Sequence, residues 1–198
     1  VLTAQLSLPP GRYPKPADVQ AFYDALLGRL AAAPGVRSAA LVNSLPMRDP
    51  IRMVLVGGAW QPAGAEPVGA DVVMVSERFG ETLGNPVLRG RGFTPADRAG
   101  AQRVAALNET AARTLFGDGE AVGRIVTLVQ SEPRDAPIEI VAVVRDVPTV
   151  GLGTDVRPQV YVPLAQAVTG IRGVTRAVSV VVRTEAAPER FADTLRRE

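Results

Sequence analysis

Two hydrophobic periods alternate along the chain, and the switches between them divide it into strands and helices. Residues 2–8, Leu-Thr-Ala-Gln-Leu-Ser-Leu, place apolar side chains at every second position, the period of a half-buried strand. Pro9-Pro10-Gly11 end that strand. Val19, Phe22, Tyr23, Leu26, Leu27 and Leu30 then recur at helical spacing and form one continuous stripe. Asp18 stands where a carboxylate complements a helix N-terminus, and Pro34-Gly35 stop the helix. Residues 36–45 return to strand patterning, giving a β-α-β unit whose helix packs on one face of a sheet.

Further strands are expected over 52–56 and 68–75. Ser76 reads as the N-cap of a short helix over 77–83, closed by Gly84. Thr94-Pro95-Ala96-Asp97 has the capping hydroxyl, the first-turn proline and the acid of another helix start. A short strand over 103–107 runs into Asn108-Glu109, read as the cap of a helix that continues through Phe116 and ends at Gly117. Residues 124–129 and 138–144 read as a strand pair across the polar loop 130–137. Strands over 159–162 and 177–183 follow, and Pro188 opens a final helix. The class is α+β, without repeats or low-complexity tracts.

Composition narrows what such a fold can do. A chain of 198 residues is long enough for one medium domain, or two small subdomains, with a real core. There is no cysteine, which removes disulfides, thiolate nucleophiles and thiolate metal sites. There is no histidine, which removes the commonest general base, the usual zinc ligand and every Ser-His-Asp triad. Lys15 is the only lysine, so lysine-based chemistry rests on one Pro-flanked residue. The 22 basic groups face 20 carboxylates, and the pI of 9.5 reflects a preference for arginine over lysine. Those arginines are scattered from Arg12 to Arg197 with few aromatics between them, unlike the clustered basic face of a nucleic-acid binder. No apolar run approaches the roughly 18 to 20 residues that cross a bilayer. Val1 is not a natural start, and the charged helical pattern of residues 189–198 has no closing element. Both ends therefore read as cut, and the chain as an excised piece of a longer protein.

The individual motifs have structural readings that compete with chemical ones. Gly117-Asp118-Gly119 and Gly151-Leu152-Gly153 lack the strand-to-helix context of a phosphate loop and read as turns. Arg89-Gly90-Arg91-Gly92-Phe93 resembles an arginine-glycine RNA-binding tract, but as a single copy it reads as a turn that presents Phe93 to a core. Asp71, Asp97, Asp118, Glu120, Glu139 and Asp146 are the candidates for a hydrolytic carboxylate pair, and no calcium-loop spacing links any of them. Asp97 and Asp118 fit caps and turns, and Asp146 fits the exit of an apolar strand. Ser44 and Ser76 have neither a nucleophile elbow nor a histidine. Trp60, beside Gly57-Gly58, fits either an exposed partner contact or a satellite core. These residues give no assignment of a catalytic, cofactor-binding or metal-ligating group.

Taken in order, several segments resemble the extracytoplasmic core domain of MacB-type ABC transporter permeases, a family that also contains FtsX-like and lipoprotein-release permeases. They are Tyr13-Pro14 with the Phe22-Tyr23 helix, Ala33-Pro34-Gly35-Val36, Val75-Ser76 with Phe79 and Leu83-Gly84, and Leu88-Arg89-Gly90-Arg91-Gly92-Phe93-Thr94 with Asp97. Val104 through Leu107 with Asn108-Glu109, Ala112-Arg113, Leu115-Phe116, Val122-Gly123, the run from Ile138 to Asp146, and Pro158 through Leu164 complete the set. Each piece is short, but the ordered set spans nearly the whole chain.

The resemblance implies a domain between the first two transmembrane helices of a permease in a bacterial inner membrane, facing the periplasm or cell exterior. It implies a discontinuous porter-like β-α-β subdomain, residues 1–76 and 155–198, with a smaller mixed α/β (Sabre-like) insertion at 77–154. It also implies a further strand beyond the C-terminus, which would leave one sheet edge incomplete. The implied role is non-enzymatic. The domain would hold no cofactor and relay motion driven by ATP, hydrolysed by a separate cytoplasmic domain or subunit, to a substrate or partner outside. Efflux and lipoprotein or peptide handling are the activities in view. The implied partners are its own transmembrane helices, a second permease copy, the cytoplasmic ATPase and a periplasmic adaptor or substrate protein, with no nucleic acid. A hydrolase using a carboxylate pair and a stand-alone peptide-binding module are the competing readings.

Overall fold

The computed structural model describes residues 1–45, 52–57, 67–128, 136–148, 156–167 and 174–185. Trp60, the turn at Gly151-Leu152-Gly153, most of the loop after residue 128 and the helix expected from Pro188 lie outside the described residues.

The chain opens with β1 (Leu2–Ser7), α1 (Pro16–Ala32) and β2 (Val36–Val42), the β-α-β unit that the pattern predicts. Pro16 starts α1 without losing a needed donor, and the Asp18 carboxylate accepts from the Lys15 N–H at 3.2 Å. Val19, Tyr23, Leu26 and Leu30 bury the stripe against the sheet. The strands β3 (Arg52–Gly57), β4 (Val68–Val75), β6 (Val104–Asn108), β7 (Ile125–Leu128), β8 (Ile138–Val144), β9 (Gln159–Pro163) and β10 (Ala177–Thr184) match expected segments to within two residues. So does α3 (Glu109–Phe116), where the Asn108 carboxamide accepts from the Ala111 N–H at 2.8 Å.

Elsewhere local signals were outvoted. The helix expected at 77–83 shrinks to α2 (Phe79–Leu83). Ser76 does not cap it: its hydroxyl accepts from the Leu41 N–H at 2.9 Å, tying β4 to β2. Thr94-Pro95-Ala96-Asp97 forms a closed turn and no helix. There the Asp97 carboxylate takes the Thr94 N–H, the Thr94 hydroxyl and both ends of the Arg91 guanidinium. No apolar stripe follows Asp97 to hold a helix against a core. The strand expected over 36–45 stops at Val42, where Asn43 turns to accept the Met74 N–H through its side chain. Two short elements carry no periodic signal: β5 (Val87–Gly90), whose four residues are all exposed, and α4 (Leu164–Ala167).

Among the described residues, all ten strands join one sheet in the order β1-β10-β2-β4-β3-β7-β8-β6-β9, with β5 also on β8. Parallel pairing of β4 with β9, from Asp71↔Gln159 to Val75↔Pro163, closes the path on itself. The result is a six-stranded ring, β4-β3-β7-β8-β6-β9, from which β2, β10 and β1 extend as a flap. The β3–β7 and β6–β9 ladders run between residues 1–76 plus 155–198 and residues 77–154.

Alternation along the strands sorts side chains onto two cores. Leu41, Val72, Met74, Leu107, Ile140 and Val160 join the stripe of α1 and the inner face of α3 in the larger one. Val42, Val73, Val75, Ala106 and Tyr161, their neighbours in sequence, form a second with Ala142 of β8 and Phe79 of α2.

Candidate functional site

The second core changes character along its length. On its face of the sheet, Asp71 of β4 lies opposite Gln159 of β9, and the β6–β9 register brings Asn108 alongside. All three are fully buried. The Asn108 carbonyl oxygen accepts from the Gln159 N–H at 2.9 Å, and its amide donates to the Arg157 carbonyl at 3.0 Å. Gln159 donates to the Val147 carbonyl at 3.0 Å and accepts from the Tyr161 hydroxyl. Burial raises the Tyr161 hydroxyl above its ordinary pKa. A polar row thus ties β6, β9 and the exit of β8 together.

Asp71 is the exception in this row. Neither carboxylate oxygen has a hydrogen-bond donor among the described residues, and its one ionic neighbour is the half-exposed Arg157 at 3.4 Å. Desolvation pushes the Asp71 carboxyl above the usual range, and the Arg157 charge offsets part of that.

The structure distributes the other candidate carboxylates among separate structural tasks. Asp97 holds its turn, and the Arg91 bond sets its pKa below the usual range. Glu120 accepts from the Ala121 and Val122 N–H groups, and Glu139 accepts from the Gln102 amide. Asp146 accepts the N–H and hydroxyl of Thr110, which anchors the start of α3 to the end of β8. Asp118 lies in the exposed turn after α3. Among the described residues, no group of three acidic side chains is placed to hold a metal ion. Ser44 is buried, and Ser76 serves the backbone of β2.

The apolar part of the second core opens into a cavity of about 420 Å³. Phe79, Phe93 and Tyr161 form its walls, and Ala106, Ala142 and Val144 its floor. The space exists because two floor positions are alanines, whose side chains stop at Cβ. Phe93 reaches this core as the Arg89–Phe93 segment predicts, and Gly90 permits the bend with φ of 79°. A second cavity of about 360 Å³ shares Phe79, Gly84, Asn85 and Tyr161 with the first. Neither Asn85 nor Gln159 was legible as a site residue. The only available signal was Gln159-Val160-Tyr161, where a polar and an aromatic residue share one strand face.

Comparison with known proteins gives this geometry a context. Residues 3–198 match the sequence family described as the MacB-like periplasmic core domain. The chain is similar to the macrolide export ATP-binding/permease protein MacB 1/2 of Paracoccus denitrificans (strain Pd 1222), with 27% identity over 140 residues. That match covers 68% of this chain and 20% of the relative, so the chain spans about a fifth of the curated relative's length. Among solved structures, the fold is similar to the periplasmic region of MacB from Actinobacillus actinomycetemcomitans, with a TM-score of 0.62 and 16% identity, over 87% of this chain and 70% of that one. It is equally similar to the extracellular domain of the noncanonic ABC-type transporter YknZ from Gram-positive bacteria, with a TM-score of 0.61 and 18% identity, over 98% and 88%.

Proposed function

Because the chain belongs to the MacB-like periplasmic core domain family, we propose that it works as the moving extracytoplasmic part of an ABC permease in a bacterial inner membrane. Domains of this family are parts of membrane transporters and are not themselves enzymes. In the proposed cycle, ATP hydrolysis in a cytoplasmic domain or subunit moves the transmembrane helices. Two copies of this domain then rock against each other and act on a substrate or an adaptor outside. The porter-like part, 1–76 with 155–198, and the insertion, 77–154, would move as one piece.

The observation that carries this reading is the closed ring of strands. A lever must transmit displacement without absorbing it, and a close-packed interior inside a closed hydrogen-bonded sheet resists internal shear. Export of a macrolide, the activity printed in the name of the Paracoccus relative, is one cargo to test.

These 198 residues hold no cysteine, so pairs of labels are introduced within them cleanly once any cysteine elsewhere in the permease and its ATPase is replaced. Gln5→Cys and Thr114→Cys, on exposed positions of β1 and α3, are placed in the full permease with its ATPase. Spin-label distances within one copy are expected to stay constant through the ATP cycle, while distances between copies change. A large change within the copy, with none between copies, overturns the lever reading.

A further inference from the structure

The flap and the ring meet at one seam, where the end of β2 lies against the end of β4. Val42↔Val75 is the only ladder pair there among the described residues. The same register sets Leu41 against Ser76 on one side of it and Asn43 against Met74 on the other. In a regular antiparallel ladder each of those flanking pairs would exchange two backbone bonds. Half of each exchange is present: the Ser76 N–H donates to the Leu41 carbonyl at 2.9 Å, and the Asn43 N–H to the Met74 carbonyl at 3.1 Å. A side chain supplies the other half. The Leu41 N–H donates to the Ser76 hydroxyl at 2.9 Å, and the Met74 N–H to the Asn43 carboxamide oxygen at 2.7 Å. The Ser76 carbonyl has left the ladder and accepts the Phe79 N–H at the start of α2. Its hydroxyl keeps the seam bonded while the chain turns away.

Packing alone would not fix the angle at this seam. Leu41, Val42, Met74 and Val75 are buried, so apolar contact holds the two parts together. That attraction is non-directional and does not stop one strand pivoting on another. Empty space also borders the seam. The cavity of about 420 Å³ touches Val75 and Ser76, and another of about 410 Å³, between α1 and the turn at 93–99, touches Leu41, Val75 and Ser76. Two further bonds cross outside the sheet, from Arg78 to the Arg37 carbonyl and from Arg183 to the Thr82 carbonyl, through long side chains with many rotamers. We propose that the Ser76 hydroxyl and the Asn43 carboxamide are the positioning groups that lock the flap to the ring and so couple the two parts of the lever. Among the described residues, a displacement received through β1 or β10 passes along the sheet to the ring only across this seam.

The coupling role rests on the lever reading, and its test is kept apart from that reading by working without nucleotide. In the full permease with its ATPase, the label pair Gln5→Cys and Thr114→Cys spans the seam. A second pair, Gln5→Cys and Ala25→Cys, stays on the flap side, because Ala25 is an exposed position of α1, which packs on β2. Ser76→Ala combined with Asn43→Ala is expected to broaden the distance distribution across the seam and to leave the flap-side distribution narrow. The Leu41 and Met74 amides should exchange about tenfold faster, the equivalent of one lost hydrogen bond each. Ser76→Thr keeps the hydroxyl, its added methyl has the bordering cavities to enter, and both distributions are expected to stay narrow. If the double variant does not assemble, each single variant is measured instead and a smaller broadening is expected. A seam distance as narrow in the alanine variants as in the parent overturns the proposal. So does equal broadening of both pairs, or a Ser76→Thr protein as loose as Ser76→Ala. Parent distances that change within one copy through the ATP cycle overturn the lever reading instead, and leave the nucleotide-free comparison standing.

Discussion

Replacing Asp71 with valine is expected to stabilise the protein at neutral pH. The carboxylate is fully buried on β4, receives no hydrogen bond among the described residues, and has Val73 next to it on the same face. Its partner Arg157 keeps 45% of its side chain in solvent, so removing Asp71 does not strand a buried cation. Replacing a whole buried ion pair with apolar residues gains up to about 4 kcal/mol, whereas removing one ion is costly only where the other is left buried. Only one ion of this pair is fully desolvated, which places the expected gain at about 1–2 kcal/mol. For a domain of this size that is a rise in Tm of about 2–8 °C. The pH dependence follows from the raised carboxyl pKa. A raised acid favours the protonated native state, so its contribution is complete below the unfolded value of about 3.9 and is lost as pH rises through the folded value. The gain from Asp71→Val is therefore largest above the folded pKa and shrinks as pH is lowered towards 3.9. Urea unfolding across pH 4 to 8, with Asp71→Asn as the shape-preserving control, reads this directly. A loss of stability at pH 7, or a gain that is the same at every pH, refutes the reasoning.

Asp97→Asn should show the opposite trend: a cost of about 1–2 kcal/mol near neutrality that disappears as acid protonates the wild-type carboxylate, because the Arg91 bond lowers its pKa. Asn108→Ala removes the cap of α3 and the bridge to β9 together, and is expected to cost about 2–4 kcal/mol in denaturant titrations. Gly90→Ala would bring a Cβ to 2.1 Å from the Val141 carbonyl oxygen at a positive φ, and should displace β5 from β8, seen as faster amide exchange at Arg91.

The elements that sequence could reach are those whose own residues carry the signal. The stripe of α1 and the alternation of β4 state their burial outright. Asn108 followed by an amphipathic turn of α3 states its role, and Gly84 and Gly117 mark helix ends by their backbone freedom. Other outcomes depended on distant residues. Ser76 looks like a cap until Leu41 arrives to claim its hydroxyl, and Asp97 looks like the acid of a helix start until Arg91 folds back onto it. The cavity was illegible because it is an absence: it comes from two alanines on strands 36 residues apart, and nothing in either strand announces their meeting.

The position of β10 sets the order in which this protein is completed. β1 pairs only with β10 among the described residues, and β10 inserts between β1 and β2. Until residues 177–184 emerge during synthesis, the first two strands face a gap one strand wide, with unpaired edges on both sides of it and without the β10 valines that share the core of α1. Completion of the flap is therefore a late event of long sequence separation, the kind that folds slowly and recruits wrong partners while it waits. The ring closes at β9 without β10, so the flap alone waits: β1 and β2 lack the strand between them until residues 177–184 have followed the rest.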